Sequence, residues 1–139
     1  MDKDIVELLI AKATEARERS YSPYSDFSVG AALLTADGDI YTGANIENAS
    51  FTPTVCAERV AFFSAIFDGK RDFRAMAIVG GKRGGEGEKC CPPCGVCRQV
   101  MSEFCEGDFQ IILGDGEEPL VLTLDEIMPL RFDINKGTK

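Results

Sequence analysis

The chain has no histidine among its 139 residues. That removes the commonest metal ligand and the commonest general base at once, so any zinc site must rest on Cys, Asp or Glu. Positive charge is also scarce: 15 Lys and Arg stand against 23 Asp and Glu, a net charge of −8. A phosphate backbone needs a basic surface, so no nucleic-acid partner is expected, although a small neutral ligand remains open. No apolar run approaches the ~20 residues of a membrane span, so no membrane partner is expected either. The N-terminus, Met1-Asp2-Lys3-Asp4, lacks the basic start and continuous apolar core of a secretory signal. These absences together lead to the expectation of a cytoplasmic protein. There are no internal repeats and no linker-like stretch, and the length fits one domain over 1–139. A chain of this size buries roughly 68–70% of its unfolded surface, enough for a core without disulfides.

What is present is cysteine, six in all. In a reducing compartment six cysteines argue for metal binding or catalysis over a disulfide framework. Cys56 opens Cys56-Ala57-Glu58-Arg59, and 38 residues later Pro93-Cys94-Gly95-Val96-Cys97 supplies a close pair. Zinc takes thiolates in tetrahedral geometry, and a catalytic site keeps one position open for water. Three cysteines plus a carboxylate two residues beyond the first provide an open site and a group to move protons. Taken alone, Cys94-x-x-Cys97 fits a structural zinc knuckle or a redox pair as well. A four-thiolate structural site would need Cys90 or Cys91, which Pro92 and Pro93 hold away from an ideal pairing. Adding Cys56 and Glu58 turns the reading toward catalysis, because zinc deaminases combine a Cys or His ligand, a non-ligand Glu and Pro-Cys-x-x-Cys. Cys90 and Cys91 then become loop bystanders, and Cys105, beside Met101 and Phe104, a core residue.

Patterning places these motifs. Apolar residues at helical spacing from Ile5 to Ala16 predict an amphipathic first helix over 2–19. Turn formers over 21–26 predict a loop, 27–35 a strand, and Asp37-Gly38 a hairpin leading to a strand over 40–44. Residues 45–54 read as irregular. Helices are expected from Cys56 to about Phe67 and from Cys94 to about Cys105. Strands are expected over 73–79, 109–113 and 119–122, with a turn at Asp115-Gly116. The stretch 80–93 reads as a loop. Thr123-Leu124-Asp125-Glu126 has capping-box form and opens a last short helix. Strands alternating with helices imply an α/β fold, a mixed sheet with parallel pairs across the βαβ steps. Both ligand-bearing segments fall at helix starts, where two helix dipoles offset the negative charge of three thiolates. Arg59 offsets it further if it donates to a ligand sulfur. Zinc acidifies a bound water, and Glu58 is positioned to carry its proton.

Four segments together resemble one family. They are Tyr24-Ser25-Asp26-Phe27-Ser28-Val29-Gly30-Ala31, Gly43-Ala44-Asn45-Ile46-Glu47-Asn48-Ala49, Cys56-Ala57-Glu58-Arg59, and Pro93-Cys94-Gly95-Val96-Cys97-Arg98-Gln99-Val100. The chain resembles the small, all-cysteine, homotetrameric cytidine deaminases from Tyr21 to Phe132. The resemblance implies a three-layer α/β/α fold with a mixed, about five-stranded sheet. It implies one zinc per subunit on Cys56, Cys94 and Cys97, with Glu58 catalytic, and hydrolysis of cytidine and deoxycytidine in pyrimidine salvage. Phe27 would pack on the nucleoside, Asn45 and Glu47 would bond ribose hydroxyls, and Ala57 would read the pyrimidine's polar edge. Phe132 would reach a neighbouring subunit's site. Arg98 reads as a surface residue. Phe51, where many members have Tyr, together with Pro53-Thr54-Val55 and the long loop over 82–92, departs from the pattern. These departures keep a deaminase of another aminopyrimidine, such as a blasticidin-like nucleoside antibiotic, in view. A zinc-stapled binding module without turnover is the competing reading.

Overall fold

A computed structural model describes residues 1–88, 90–114 and 118–134. The elements run α1 (Lys3–Arg17), β1 (Phe27–Thr35), β2 (Ile40–Ala44), α2 (Ala57–Phe67), β3 (Phe73–Lys82), α3 (Gly95–Phe104), β4 (Gln110–Leu113), β5 (Leu120–Thr123) and α4 (Leu124–Ile127). The strands form one five-stranded sheet in the order β2-β1-β3-β4-β5.

The strands read as unbroken apolar runs because both faces of the sheet are covered. Successive residues point to opposite faces. Ala31, Leu33, Met76, Ile78, Ile111 and Leu113 pack with Ala57, Ala61 and Phe62 of α2 and with Met101 of α3. Ala32, Leu34, Ala75, Ala77, Val79 and Ile112 pack with Leu9, Ile10 and Ala13 of α1 on the other face. The result is the expected three layers, with α1 alone on one side. Cys105 is buried in the larger cluster, as its place beside Met101 suggested. Asp2 caps α1 by accepting from the Asp4 amide at 2.8 Å. Thr123 and Glu126 form the expected reciprocal capping box.

Two expectations are corrected. Adjacent parallel pairing occurs once, between β3 and β4. The other βαβ step, β2-α2-β3, leaves its two strands separated by β1, which runs antiparallel to both. β3 joins the free edge of β1 instead, which leaves β2 at the edge of the sheet. Strand β3 also continues three residues past the expected end at 79, because Phe27, Ser28 and Val29 pair with Lys82, Gly81 and Gly80. The glycines there keep the pairing while admitting other chain segments close to the backbone. The turn expected at Asp115-Gly116 lies outside the described residues.

Candidate active site

The three expected metal ligands converge. The Sγ atoms of Cys56, Cys94 and Cys97 all lie within 4.8 Å of one another, and Cys94 and Cys97 are 3.8 Å apart. A tetrahedron with Zn–S bonds of ~2.3 Å has edges of ~3.8 Å, so this spacing suits the ion. The local folding explains the convergence. Cys56 is the N-cap of α2 and Cys94 the N-cap of α3, and neither makes a side-chain capping bond. Neither sulfur is therefore spent on capping its own helix, and both lie at positive helix ends, while Cys97 sits one turn into α3 and is buried. Gly43 lets α2 seat directly on β2: a Cβ there would fall 2.5 Å from the Ala57 carbonyl. That approach brings the start of α2 beside the end of β2, where Asn45 follows.

Charge is distributed as a thiolate site requires. A hydrogen bond from the Cys97 thiol, opposed by burial and aided by Arg59, lowers the pKa of Cys56. The same bond, together with burial, raises Cys97. Arg59 donates from Nη2 to the Cys56 sulfur at 3.4 Å, as its position next to Glu58 suggested. Glu58 lies in the first turn of α2 and is 5% exposed. Burial, with the nearby Cys56 thiolate adding to it, lifts its carboxyl to about 7. The carboxyl is thus poised near neutrality, where a proton carrier works best.

The residues expected to contact the nucleoside fall on different elements: Phe27 opens β1, Asn45 and Glu47 follow β2, and Ala57 opens α2. Asn45 is no simple turn residue. Its Oδ1 accepts from the Val29 amide at 2.9 Å and from Ser20 Oγ at 2.5 Å, and its Nδ2 donates to the Phe27 carbonyl at 2.9 Å. One Nδ2 hydrogen is left over. Glu47 accepts at Oε1 from the amides of Tyr24 and Ser25, at 2.9 and 3.1 Å, and at Oε2 from Ser25 Oγ. Burial would raise its pKa, but these bonds and nearby Arg83 lower it, so the carboxylate keeps its charge. The remaining capacity of the pair is one donor and one free acceptor position on Oε2, which suits a pair of hydroxyls. Ala57 is fully buried at the start of α2, Phe27 is half-buried, and Phe132 is 66% exposed.

Three residues differ from their sequence reading. Cys91 lies outside the thiol triad, as a bystander should, but it is not loosely held. Its sulfur packs against Gly80 and the core, and burial, with Glu58 and Glu88 nearby, pushes the thiol up to about 12. Cys90 is exposed, as expected. Arg98 is not a simple surface residue: Nε donates to the Pro93 carbonyl at 2.9 Å and Nη1 to the Ile127 carbonyl at 2.7 Å, tying the turn before Cys94 to α4. Arg17 went unnoticed, because a basic residue in the last turn of a helix is unremarkable. Arg17 is nevertheless buried against the β1–β3 end.

A thiolate triad at two helix starts, with a buried carboxylate beside it on an α/β/α frame, defines the zinc deaminase class. Comparison with known proteins narrows this. Residues 3–113 match the family described as the cytidine and deoxycytidylate deaminase zinc-binding region. The chain is 51% identical over 123 residues to a cytidine deaminase of Sporosarcina psychrophila, covering 86% of this chain and 87% of the relative. It is 31% identical over 137 residues to a blasticidin-S deaminase of Bacillus cereus, covering 96% of this chain and 94% of that one. A crystal structure of a cytidine deaminase from Burkholderia pseudomallei superposes with a TM-score of 0.83 at 40% identity, over 95% of this chain and all of the other. The chain belongs to the cytidine deaminase family, whose site is zinc-dependent. No helix among the described residues is long and apolar enough to cross a membrane.

Proposed function

We propose that this protein hydrolyses cytidine and deoxycytidine to uridine and deoxyuridine with release of ammonia, as a cytoplasmic step of pyrimidine salvage. The observation that carries the reading is the convergence of the Cys56, Cys94 and Cys97 sulfurs within 4.8 Å, in a site whose non-ligand carboxylate, Glu58, is buried. Cys56, Cys94 and Cys97 would hold the zinc, which when bound acidifies a water for attack at C4 of the base. Glu58 takes one proton from the attacking water and passes it to the ring nitrogen, then takes the second from the hydroxyl now on C4 and passes it to the departing amine, so that the C4 carbonyl forms, ammonia leaves and the carboxylate returns to its starting state. The Ala57 backbone faces the polar edge of the pyrimidine and Phe27 packs on its ring. The spare Nδ2 hydrogen of Asn45 and the free position on Glu47 Oε2 take the two ribose hydroxyls. Phe132 enters the site of a neighbouring copy, so the active unit is a homotetramer with closed symmetry.

Loss of cytidine absorbance, measured together with zinc content, tests the reading. Blasticidin S serves as a competing substrate, because a relative of that activity aligns over nearly the whole chain. One zinc per chain with turnover of cytidine supports the proposal. Stoichiometric zinc with no turnover of any aminopyrimidine would favour the binding module.

A further inference from the structure

Arg17 ends α1, yet its guanidinium is not spread on the surface. The residue is only 6% exposed and lies beneath the end of the sheet. Nε donates to the Ser28 carbonyl at 3.0 Å, Nη2 to the Lys82 carbonyl at 3.1 Å and Nη1 to the Gly85 carbonyl at 3.3 Å. A buried guanidinium is costly unless its donors are met. A residue serving only the helix dipole would stay in water, where lysine does as well. The three carbonyls surround one position: Ser28 follows Phe27, Lys82 is the cross-strand partner of Phe27, and Gly85 closes the turn after β3 by donating to Lys82 at 2.8 Å.

The same segment is tied from its outer side. Arg83 donates from its amide to the Asp26 carbonyl at 2.8 Å and pairs with the Asp26 carboxylate at 2.9 Å. The Glu88 amide donates to the Gly80 carbonyl at 2.7 Å. Gly80 and Gly81 open the two faces of this strand end. A Cβ on Gly81 would fall 2.3 Å from the Glu86 carbonyl and 3.1 Å from Arg17 Nη2. One on Gly80 would fall on the opposite face, 2.4 Å from the Cys91 sulfur and 3.0 Å from the Phe27 ring. The guanidinium and segment 82–88 thus clamp from one face the strand end whose other face carries the Phe27 ring.

We propose that Arg17 is a positioning residue for nucleoside binding, locking the strand end that carries Phe27 to segment 82–88 from beneath and so fixing where the Phe27 ring stands. The proposal rests on the reading of Phe27 as a nucleoside contact. The planar fork meets the three carbonyls from three nitrogens in fixed geometry; an ammonium also has three donors, but from one nitrogen on a flexible stem, and holds them less rigidly. Small displacements of groups that position substrate are expensive in rate. The effect falls on binding, because Glu58 and the thiols hang from α2 and α3 on the opposite face of the sheet from α1.

Kinetics on zinc-loaded Arg17→Ala, Arg17→Lys, Gly81→Ala and Phe27→Ala decide it, with hydrogen exchange read at residues 82–88. Arg17→Ala should raise KM for cytidine about 10-fold while kcat stays within about 3-fold, the split expected when ground-state and transition-state binding are lost together. Arg17→Lys should recover part of the loss, and amides over 82–88 should exchange faster in both. Gly81→Ala keeps the guanidinium but presses its Cβ on the Glu86 carbonyl and on Nη2, disturbing the same clamp, so it should also raise KM, and it settles the matter with Arg17→Lys if Arg17→Ala does not fold. Wild-type KM in folded Arg17 variants while Phe27→Ala raises KM would overturn the proposal. So would a fall in kcat or zinc content at constant KM. Wild-type KM in Phe27→Ala would instead remove the placement of Phe27, and the proposal's basis with it.

Discussion

Replacing Glu58 by Gln separates chemistry from stability. The side chain keeps its size and is outside the thiol triad, so the variant should bind zinc and fold. Turnover should collapse. General acid–base help is typically worth ~10²–10⁴, and Glu58 moves protons in more than one step, so a loss near ~10⁴, about 5 kcal/mol, is expected. Stability should move the other way. Burial raises the carboxyl from 4.5 to about 7. The folded state therefore holds this proton more tightly than the unfolded chain does. Stability is fully present below pH 4.5 and is lost as pH rises through about 7, by an amount on the order of 3 kcal/mol. Gln carries no such penalty. Chelator-treated Glu58→Gln should therefore resist urea better than chelator-treated parent at pH 8, with the gap closing toward pH 4.5. Cytidine turnover, metal content and urea titration at the two pH values check this. Near-normal turnover of the zinc-loaded variant would refute the proton-carrier role, and a stability gap that ignores pH would refute the account of its burial.

Cys94→Ala should lose zinc and activity together and destabilise the domain, because metal binding contributes to folding. Cys90→Ala should change neither, while Cys91→Ala should keep zinc but lower stability by about 1–2 kcal/mol for the packing it loses, measured by denaturation of the zinc-loaded proteins. Phe132→Ala should raise KM for cytidine without removing zinc, and the parent should sediment as an oligomer at assay concentrations; a fully active monomer would defeat the shared-site reading. CMP and single-stranded DNA should be turned over at least ~100-fold less efficiently than cytidine, about 2.7 kcal/mol, since the cation nearest Glu47, Arg83, is already paired with Asp26. Comparable kcat/KM for cytidine and CMP would show that the sugar end of the cleft is open or basic.

Much of the fold was legible because its signals are local. The hairpin at Asp37-Gly38, the capping box at Thr123 and the unbroken apolar runs of β1 and β3 follow from neighbours within a few residues. The metal triad was legible for a different reason. Thiolates two and three residues apart from fixed partners, each at a helix start, can meet a metal in few ways, so residue type and spacing carry the geometry. What escaped notice depends on where chain segments return in space. The end of β3 is set by pairing with Phe27, Ser28 and Val29, over fifty residues earlier. Cys91 is partly buried because its sulfur returns over Gly80, just as Glu86 returns over Gly81, which a Gly- and Lys-rich composition represents only as a loop.

Arg17 shows the limit most clearly. Its type and place in the sequence fit an exposed helix end, and its hydropathy argues against burial. The reason it is buried lies in three carbonyls, at Ser28, Lys82 and Gly85, that have no sequence signature at all, since every residue carries a carbonyl. Side-chain motifs announce the groups that do chemistry, because chemistry restricts residue type. The backbone that holds those groups in place is recognised by geometry alone. The ribose pair illustrates both at once: Asn45 and Glu47 are visible as types, but their free valences are known only after the bonds to Val29, Phe27, Tyr24 and Ser25 have been counted. Of the six bonds on those two side chains, the four to the main chain would satisfy any polar loop. It is what the six leave unfilled, one N–H and one acceptor position, that supports the proposal of two sugar hydroxyls.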